Sequence, residues 1–144
     1  MTADPAERLD LHASCVSIEG RGLLILGPSG SGKSALALQL IALGAVLVAD
    51  DRTLITREGC QLHATAPATL SGLIEARFVG LLNSPVVARV ALTLAVDMAQ
   101  TETERLPPIR SLSLAGVGLN LVHKVAVDHF PFALMCYVRQ GRQA

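Results

Sequence analysis

Residues Leu23 to Leu43 constrain this chain more than any other stretch. Four apolar residues, Leu23-Leu24-Ile25-Leu26, run into Gly27-Pro28-Ser29-Gly30-Ser31-Gly32-Lys33-Ser34, and Ala35-Leu36-Ala37-Leu38-Gln39-Leu40-Ile41 follows. The middle section fits the pattern G-x-x-x-x-G-K-[ST], in which backbone N–H groups wrap a polyphosphate. Gly27, Gly30 and Gly32 permit the positive φ angles that so tight a curl needs. The apolar run reads as a buried parallel strand, and the segment after the loop as a helix closed by Gly44. A helix beginning near Lys33 aims unpaired N–H groups and the positive end of its dipole at an anion. Lys33 can reach the β and γ phosphates as a mobile point charge. The Ser34 hydroxyl, one residue on, can ligate Mg²⁺. Gly27 to Ser34, with Pro28, Ser29 and Ser31 included, form the expected phosphate cradle.

A chain of 144 residues suits one domain, residues 1–144 with a core of about 11–138, large enough to fold without staples. Its hydrophobic fraction of 51% and mean hydropathy of +0.47 are high for this size, so some apolar surface is expected to be covered by other subunits. The nearly apolar stretch Ala35 to Ala49 is broken by Gln39 and Gly44 and falls short of the ~20 residues a membrane span needs. Residues Met1 to Arg8 are polar and lack the basic flank and apolar centre of a signal peptide, so a cytoplasmic, non-membrane protein is expected. Cys15, Cys60 and Cys136 are odd in number with no C-x-x-C spacing, which points to buried reduced thiols rather than disulfides or zinc. Twelve basic and twelve acidic side chains cancel, and the chain has one Tyr, three Phe and no Trp. Without a basic stripe or stacking platforms, nucleic acid is not an expected partner.

Taken in order, Leu11 to Glu19 reads as a strand opened by His12, and Gly20-Arg21-Gly22 as a tight turn. After the loop and helix, Ala45 to Ala49 is a short strand ending in Asp50-Asp51. A strand joined to its predecessor by a crossover helix lies parallel to it, so the aspartates and the loop are expected at the same sheet edge. Thr53–Arg57 and Gln61–Thr65 flank Glu58-Gly59-Cys60 as a hairpin. A short helical turn is expected around Ser71 to Ile74, a strand after Arg77, and a long strand from Val86 to Val96. Thr101 to Pro108 is a loop, Ile109 to Leu114 a half-buried strand, and Gly116 and Gly118 turn the chain. From Leu119, Asn120, His123, Lys124 and Asp128 share one helical face; Pro131 interrupts that helix, and Phe132 to Val138 form a second.

His12, the Gly27–Ser34 loop, Leu47-Val48-Ala49-Asp50-Asp51 and Ile74-Glu75-Ala76-Arg77-Phe78-Val79-Gly80-Leu81-Leu82-Asn83 occur in that order. Together they resemble the catalytic domain of HPr kinase/phosphorylase, over about Leu11 to Asp128. The resemblance implies an α/β phosphate-loop core related to phosphoenolpyruvate carboxykinase, a mixed and largely antiparallel sheet with flanking helices, and assembly as a hexamer. It implies an ATP- and Mg²⁺-dependent kinase that phosphorylates a serine of the small phosphocarrier protein HPr, and that can reverse the transfer with inorganic phosphate. By position, Lys33 and Ser34 contact nucleotide and Mg²⁺. One of Asp50 and Asp51 takes the serine proton and the other is a metal partner; the motif does not separate them, and we assign Asp50 as base and Asp51, with Ser34 and Glu75, to the metal. A carboxylate suffices, because phosphoryl transfer asks mainly for positioning and charge neutralisation. His12 matches a family histidine that tunes the aspartates. Glu75 and Arg77, two apart on an extended chain, would face one side, towards metal and phosphate. Arg105 aligns with an arginine in a mobile loop that covers the transferring phosphate.

The chain also departs from the family pattern. Full-length members carry an additional amino-terminal domain, whereas almost nothing precedes His12 here. The family's Arg-Pro-Gly-Arg-Asn turn appears as Gly116-Val117-Gly118-Leu119-Asn120, and Phe78 replaces a glycine. These changes bear on the reverse reaction and on the acceptor's identity. Two alternatives use the same loop: a kinase of small hydroxyl compounds, and a nucleotide-binding regulatory module without transfer chemistry. A GTPase is disfavoured, since neither Asn-Lys-x-Asp nor D-x-x-G occurs.

Overall fold

Short apolar runs separated by glycine turns give eleven strands and two helices over residues 8–144, the part of the chain that the computed structural model describes. The reading of residues 1–7 lies outside them. Arg8–Leu11 (β1), Ala13–Ile18 (β2) and Arg21–Leu26 (β3) precede helix α1, Lys33–Ala42. Val46–Ala49 (β4), the hairpin Thr53–Glu58 (β5) and Gln61–Thr65 (β6), and a second hairpin, Leu73–Ala76 (β7) and Gly80–Asn83 (β8), come next. Val90–Thr101 (β9), Arg110–Leu114 (β10), Val117–Lys124 (β11) and helix α2, Phe130–Gln140, complete the order.

The fold is α/β, and its sheet is mixed and largely antiparallel, as the resemblance implied. Nine strands form that sheet, while β7 and β8 stand apart as their own pair. Strand β9 is its centre. One edge of β9 pairs in parallel with β3; the other takes β6 at Val90 and Ala91, then β11 in parallel from Leu94 onward. On the far side of β3, β2 is antiparallel to both β3 and β4. Strands β3 and β4 are therefore parallel with β2 inserted between them, so Gly27 and Asp50 leave the sheet at the same edge.

Alternation along the strands divides the core in two. Leu23 and Ile25 of β3, with Val16 and Ile18 of β2, pack under Leu36, Ala37 and Leu40 of α1 and Leu134, Met135 and Val138 of α2. Leu24, Cys15 and Val48 face the other way, against Ile55, Leu62 and Ala64, where β5 and β6 curl back over β2 and β4. All six residues of β2 are buried because both of its faces are covered. Helix α1 ends as expected: Gly44, at φ +111, donates to Ile41 O, and Ala45 donates to Leu40 O, the paired bonds of a left-handed glycine stop.

Several expectations are corrected. The segment from Leu119 is not a helix but β11, because β9 beyond Leu94 offers an unpaired edge whose hydrogen bonds outweigh a polar spacing of helical period. Pro131 does not interrupt a helix; it lies in the first turn of α2, where its missing N–H costs nothing. The long strand begins at Val90 rather than Val86 and runs to Thr101, since Thr101 still has Lys124 as partner. Ser71 to Ile74 carries no helical turn: a 3-10 turn occupies Ala68–Leu70, and β7 starts at Leu73. Gly116 turns the chain, whereas Gly118 lies within β11. Only Cys15 is a buried thiol, its pKa raised by burial; Cys60 and Cys136 are exposed. Part of the apolar excess surfaces on the second hairpin, where Phe78, Val79 and Leu81 are exposed. No helix among the described residues is long and apolar enough to cross a membrane.

Candidate active site

The loop between β3 and α1 curls as its glycines permit. Gly27, Gly30 and Gly32 have φ of +150°, +81° and +97°. Gly27 is required on space as well, since a Cβ there would lie 2.5 Å from Ser31 Oγ. Ser31 N–H donates to Pro28 O at 3.1 Å, and Lys33 Nζ donates to the same carbonyl at 3.1 Å. Three features of this loop call for an anion. Lys33 is buried, yet its ammonium is met by a neutral acceptor. Among the described residues, the buried Ser31 Oγ has no hydrogen-bond partner and no side chain caps the start of α1. A polyphosphate would satisfy all three.

The acid pair leaves β4 beside this loop. Asp50, only 9% exposed, accepts hydrogen bonds at Oδ1 from Ser34 Oγ (2.7 Å) and Ser14 Oγ (2.8 Å), and at Oδ2 from the Glu75 N–H (3.1 Å). Asp51 is turned away from it, because its φ of +66° puts it in the left-handed region that non-glycine residues rarely occupy. Its N–H donates to Ser14 Oγ at 3.2 Å, and its Oδ1 lies 2.6 Å from His12 Nε2. These two side chains stay accessible, 65% exposed for Asp51 and 46% for His12. The chain around them is fastened by Thr53 Oγ1 to Ala13 O and by an Arg52–Asp10 ion pair.

The structure thus brings together His12, Ser34, Asp50, Asp51 and the backbone of Glu75. It does not gather the rest. The Glu75 side chain is exposed, and β7 ends at Ala76, so Arg77 sits in the following turn with Phe78 at φ +68°. The expected single extended face for Glu75 and Arg77 is therefore absent. Arg105 is exposed in the loop after β9, with no ion pair to the other candidates among the described residues. Ser14 went unnoticed in the sequence. The available signal was a hydroxyl in an apolar strand, because a buried hydroxyl needs partners.

The base of the Arg105 loop is held by Glu102, which accepts from Arg110 Nε and Nη2, each at 3.1 Å, and from the N–H groups of Thr103 and Glu104. The Arg110 bonds, helped by those N–H groups, hold the Glu102 carboxyl down to about 2, against an ordinary 4.5. A depressed carboxyl stabilises the fold above its unfolded pKa, and that contribution disappears as pH falls through the folded value. Wild type should therefore be more stable than Glu102→Gln at neutral pH, with the gap in melting temperature closing between pH 4.5 and about 2. A gap that does not change with pH would contradict this.

Comparison with known proteins follows the same lines. The family described as HPr Serine kinase C-terminal domain matches residues 4–104. The chain belongs to that family. An HPr kinase/phosphorylase of Cupriavidus metallidurans is 36% identical over 81% of this chain and 40% of its own length. That of Clostridium novyi is 29% identical over 96% of this chain and 53% of its own. The chain spans between a quarter and about half of the length of the curated relatives it matches. A solved structure of the Hpr(Ser) kinase/phosphatase from Coxiella burnetii superposes with a TM-score of 0.76 at 25% identity, covering 91% of this chain and 94% of the other. The match to the HPr serine kinase C-terminal domain contains the loop and the acid pair; Arg105 and the altered Gly116–Asn120 turn lie beyond it.

Proposed function

We propose that this domain transfers the γ-phosphate of ATP, with Mg²⁺, to a serine of an HPr-like phosphocarrier protein. The observation that carries the reading is the 2.7 Å bond from Ser34 Oγ to Asp50 Oδ1, which joins the phosphate-loop residues to the acid pair. Lys33 and the N–H groups of the loop would hold the phosphates. Ser34 would ligate Mg²⁺ directly, with Asp50 orienting that hydroxyl and reaching the ion through water. No cluster of three His, Cys, Asp or Glu side chains among the described residues could hold a metal by itself, which suits an ion that takes its other ligands from phosphates and water. Bound there, Mg²⁺ supplies charge neutralisation on the phosphates.

The roles of the aspartates follow from their surroundings and run opposite to the expected split. Three protein donors already occupy the Asp50 carboxylate, which suits orientation rather than proton abstraction. Asp51 is open to an incoming hydroxyl and backed by His12, which can stabilise the carboxylate and share the proton. Glu75 enters through its backbone N–H rather than as a metal ligand. The exposure of Asp51 and His12 favours a protein side chain over a small molecule as acceptor, since nothing among the described residues closes over them. The test is incubation of the full chain with γ-labelled ATP and a purified HPr-like carrier. Label should reach the carrier only with Mg²⁺ present and be lost when its acceptor serine is replaced by alanine. No labelled carrier under any metal condition would sink the proposal.

A further inference from the structure

Ser14 is a hydroxyl in the middle of the sheet. It lies on β2, between β3 and β4, pairs with Ile25 and is wholly buried. Side chains alternate along a strand, so it shares the face of Val16, which packs under α1. Its Oγ bonds two consecutive residues, donating to Asp50 Oδ1 at 2.8 Å and accepting from the Asp51 N–H at 3.2 Å. The two roles cannot be exchanged. A backbone N–H only donates, so the Ser14 oxygen receives Asp51 and its single proton is left for Asp50. Ser34 Oγ donates to the same Asp50 oxygen at 2.7 Å, and the Asp51 N–H, Ser14, Asp50 and the first turn of α1 thus form one chain of hydrogen bonds.

The bond to Asp51 has the larger consequence. At φ +66°, Asp51 is in a conformation that a residue with a side chain keeps only where its surroundings hold it. The Arg52 N–H closes the turn on Asp50 O at 2.8 Å, and the Ser14 hydroxyl holds the Asp51 N–H from below. We infer that Ser14 is a positioning residue for the phosphoryl transfer: by tying the Asp51 backbone and the Asp50 carboxylate to one oxygen, it sets the proton acceptor against the phosphate loop. The inference rests on the function proposed above. Wholly buried, Ser14 acts through Asp51 rather than on a substrate. Without its hydroxyl, Asp50 keeps Ser34 and the Glu75 N–H, whereas the Asp51 N–H loses its side-chain partner and the backbone is free to relax. The loss therefore falls on transfer more than on ATP binding.

The full chain, Ser14→Ala, Asp51→Asn, their double variant and Ser17→Ala test this. In the free protein, with neither nucleotide nor metal, amide hydrogen exchange at Asp51 should quicken about tenfold in Ser14→Ala, while the β3 amides keep their protection. Single-turnover transfer from γ-labelled ATP to the carrier should fall about tenfold to a hundredfold, with ATP affinity by calorimetry within about twofold of wild type. Added to Asp51→Asn, Ser14→Ala should cost no more than about a further twofold, because the group it positions is already disabled. Ser17→Ala, which removes another buried hydroxyl from β2, should alter neither exchange at Asp51 nor transfer. Unchanged exchange at Asp51, transfer that Ser14→Ala leaves intact, a full additional loss on top of Asp51→Asn, or an equal loss in Ser17→Ala would each overturn the assignment and leave the kinase reading standing. So would loss of ATP binding in Ser14→Ala, since the hydroxyl would then be supporting the fold or the loop. Wild type that labels no carrier would overturn both readings.

Discussion

Lys33→Ala is expected to weaken ATP binding about tenfold to a hundredfold, the equivalent of losing a charge-assisted hydrogen bond or two. The reason lies in how the ammonium is kept. Lys33 is 5% exposed, and its ammonium meets the neutral Pro28 carbonyl at 3.1 Å. Burying a cation against a single neutral acceptor is unfavourable, and an arriving polyanion relieves that cost. Truncation does not leave the carbonyl stranded, because Ser31 N–H also donates to it. The melting temperature should therefore move by no more than a few degrees while the calorimetric signal for ATP collapses. Undiminished ATP binding in a folded Lys33→Ala protein would mean that the nucleotide sits elsewhere.

Asp51→Asn and Asp50→Asn should fail in different ways. Asp51 is exposed and paired with His12, so replacing its carboxylate removes the proposed proton acceptor but no group proposed to hold nucleotide. Single-turnover transfer to the carrier should fall by about a hundredfold to ten-thousandfold, with ATP affinity preserved. Asp50 accepts from Ser14, Ser34 and the Glu75 N–H, and an amide there would turn one acceptor into a donor facing donors. Ser34 would lose its orientation, and the Mg²⁺ concentration needed for tight ATP binding should rise about tenfold or more. If Asp51→Asn instead abolishes the Mg²⁺ dependence and Asp50→Asn only the transfer, the assignment is reversed.

What was legible in the sequence is what local spacing dictates. The glycines at 27, 30 and 32, the strand before them and the glycine-stopped helix after them are fixed by contacts within a few residues, and the fold reproduces each. The hairpin around Glu58-Gly59-Cys60 is local in the same sense, with Glu58 opposite Gln61. The edge shared by Gly27 and Asp50 was also foreseeable, because a crossover connection makes the flanking strands parallel even when β2 is threaded between them. Leu119 to Lys124 was not legible: its polar residues match a helical period, and only the free length of β9 makes it a strand.

The chemistry divides along the same boundary. Motif order was enough to place the chain in its family and to single out the loop, His12 and the adjacent aspartates, because those residue types sit at set distances along the backbone. Which aspartate is enclosed and which faces solvent was decided by residues remote in sequence: Ser14, thirty-six positions from Asp50, and the N–H of Glu75, twenty-five positions from it. Two neighbouring carboxylates are chemically identical on paper. Their difference comes from the donors that packing brings to one of them, and packing of that kind is a property of the assembled sheet.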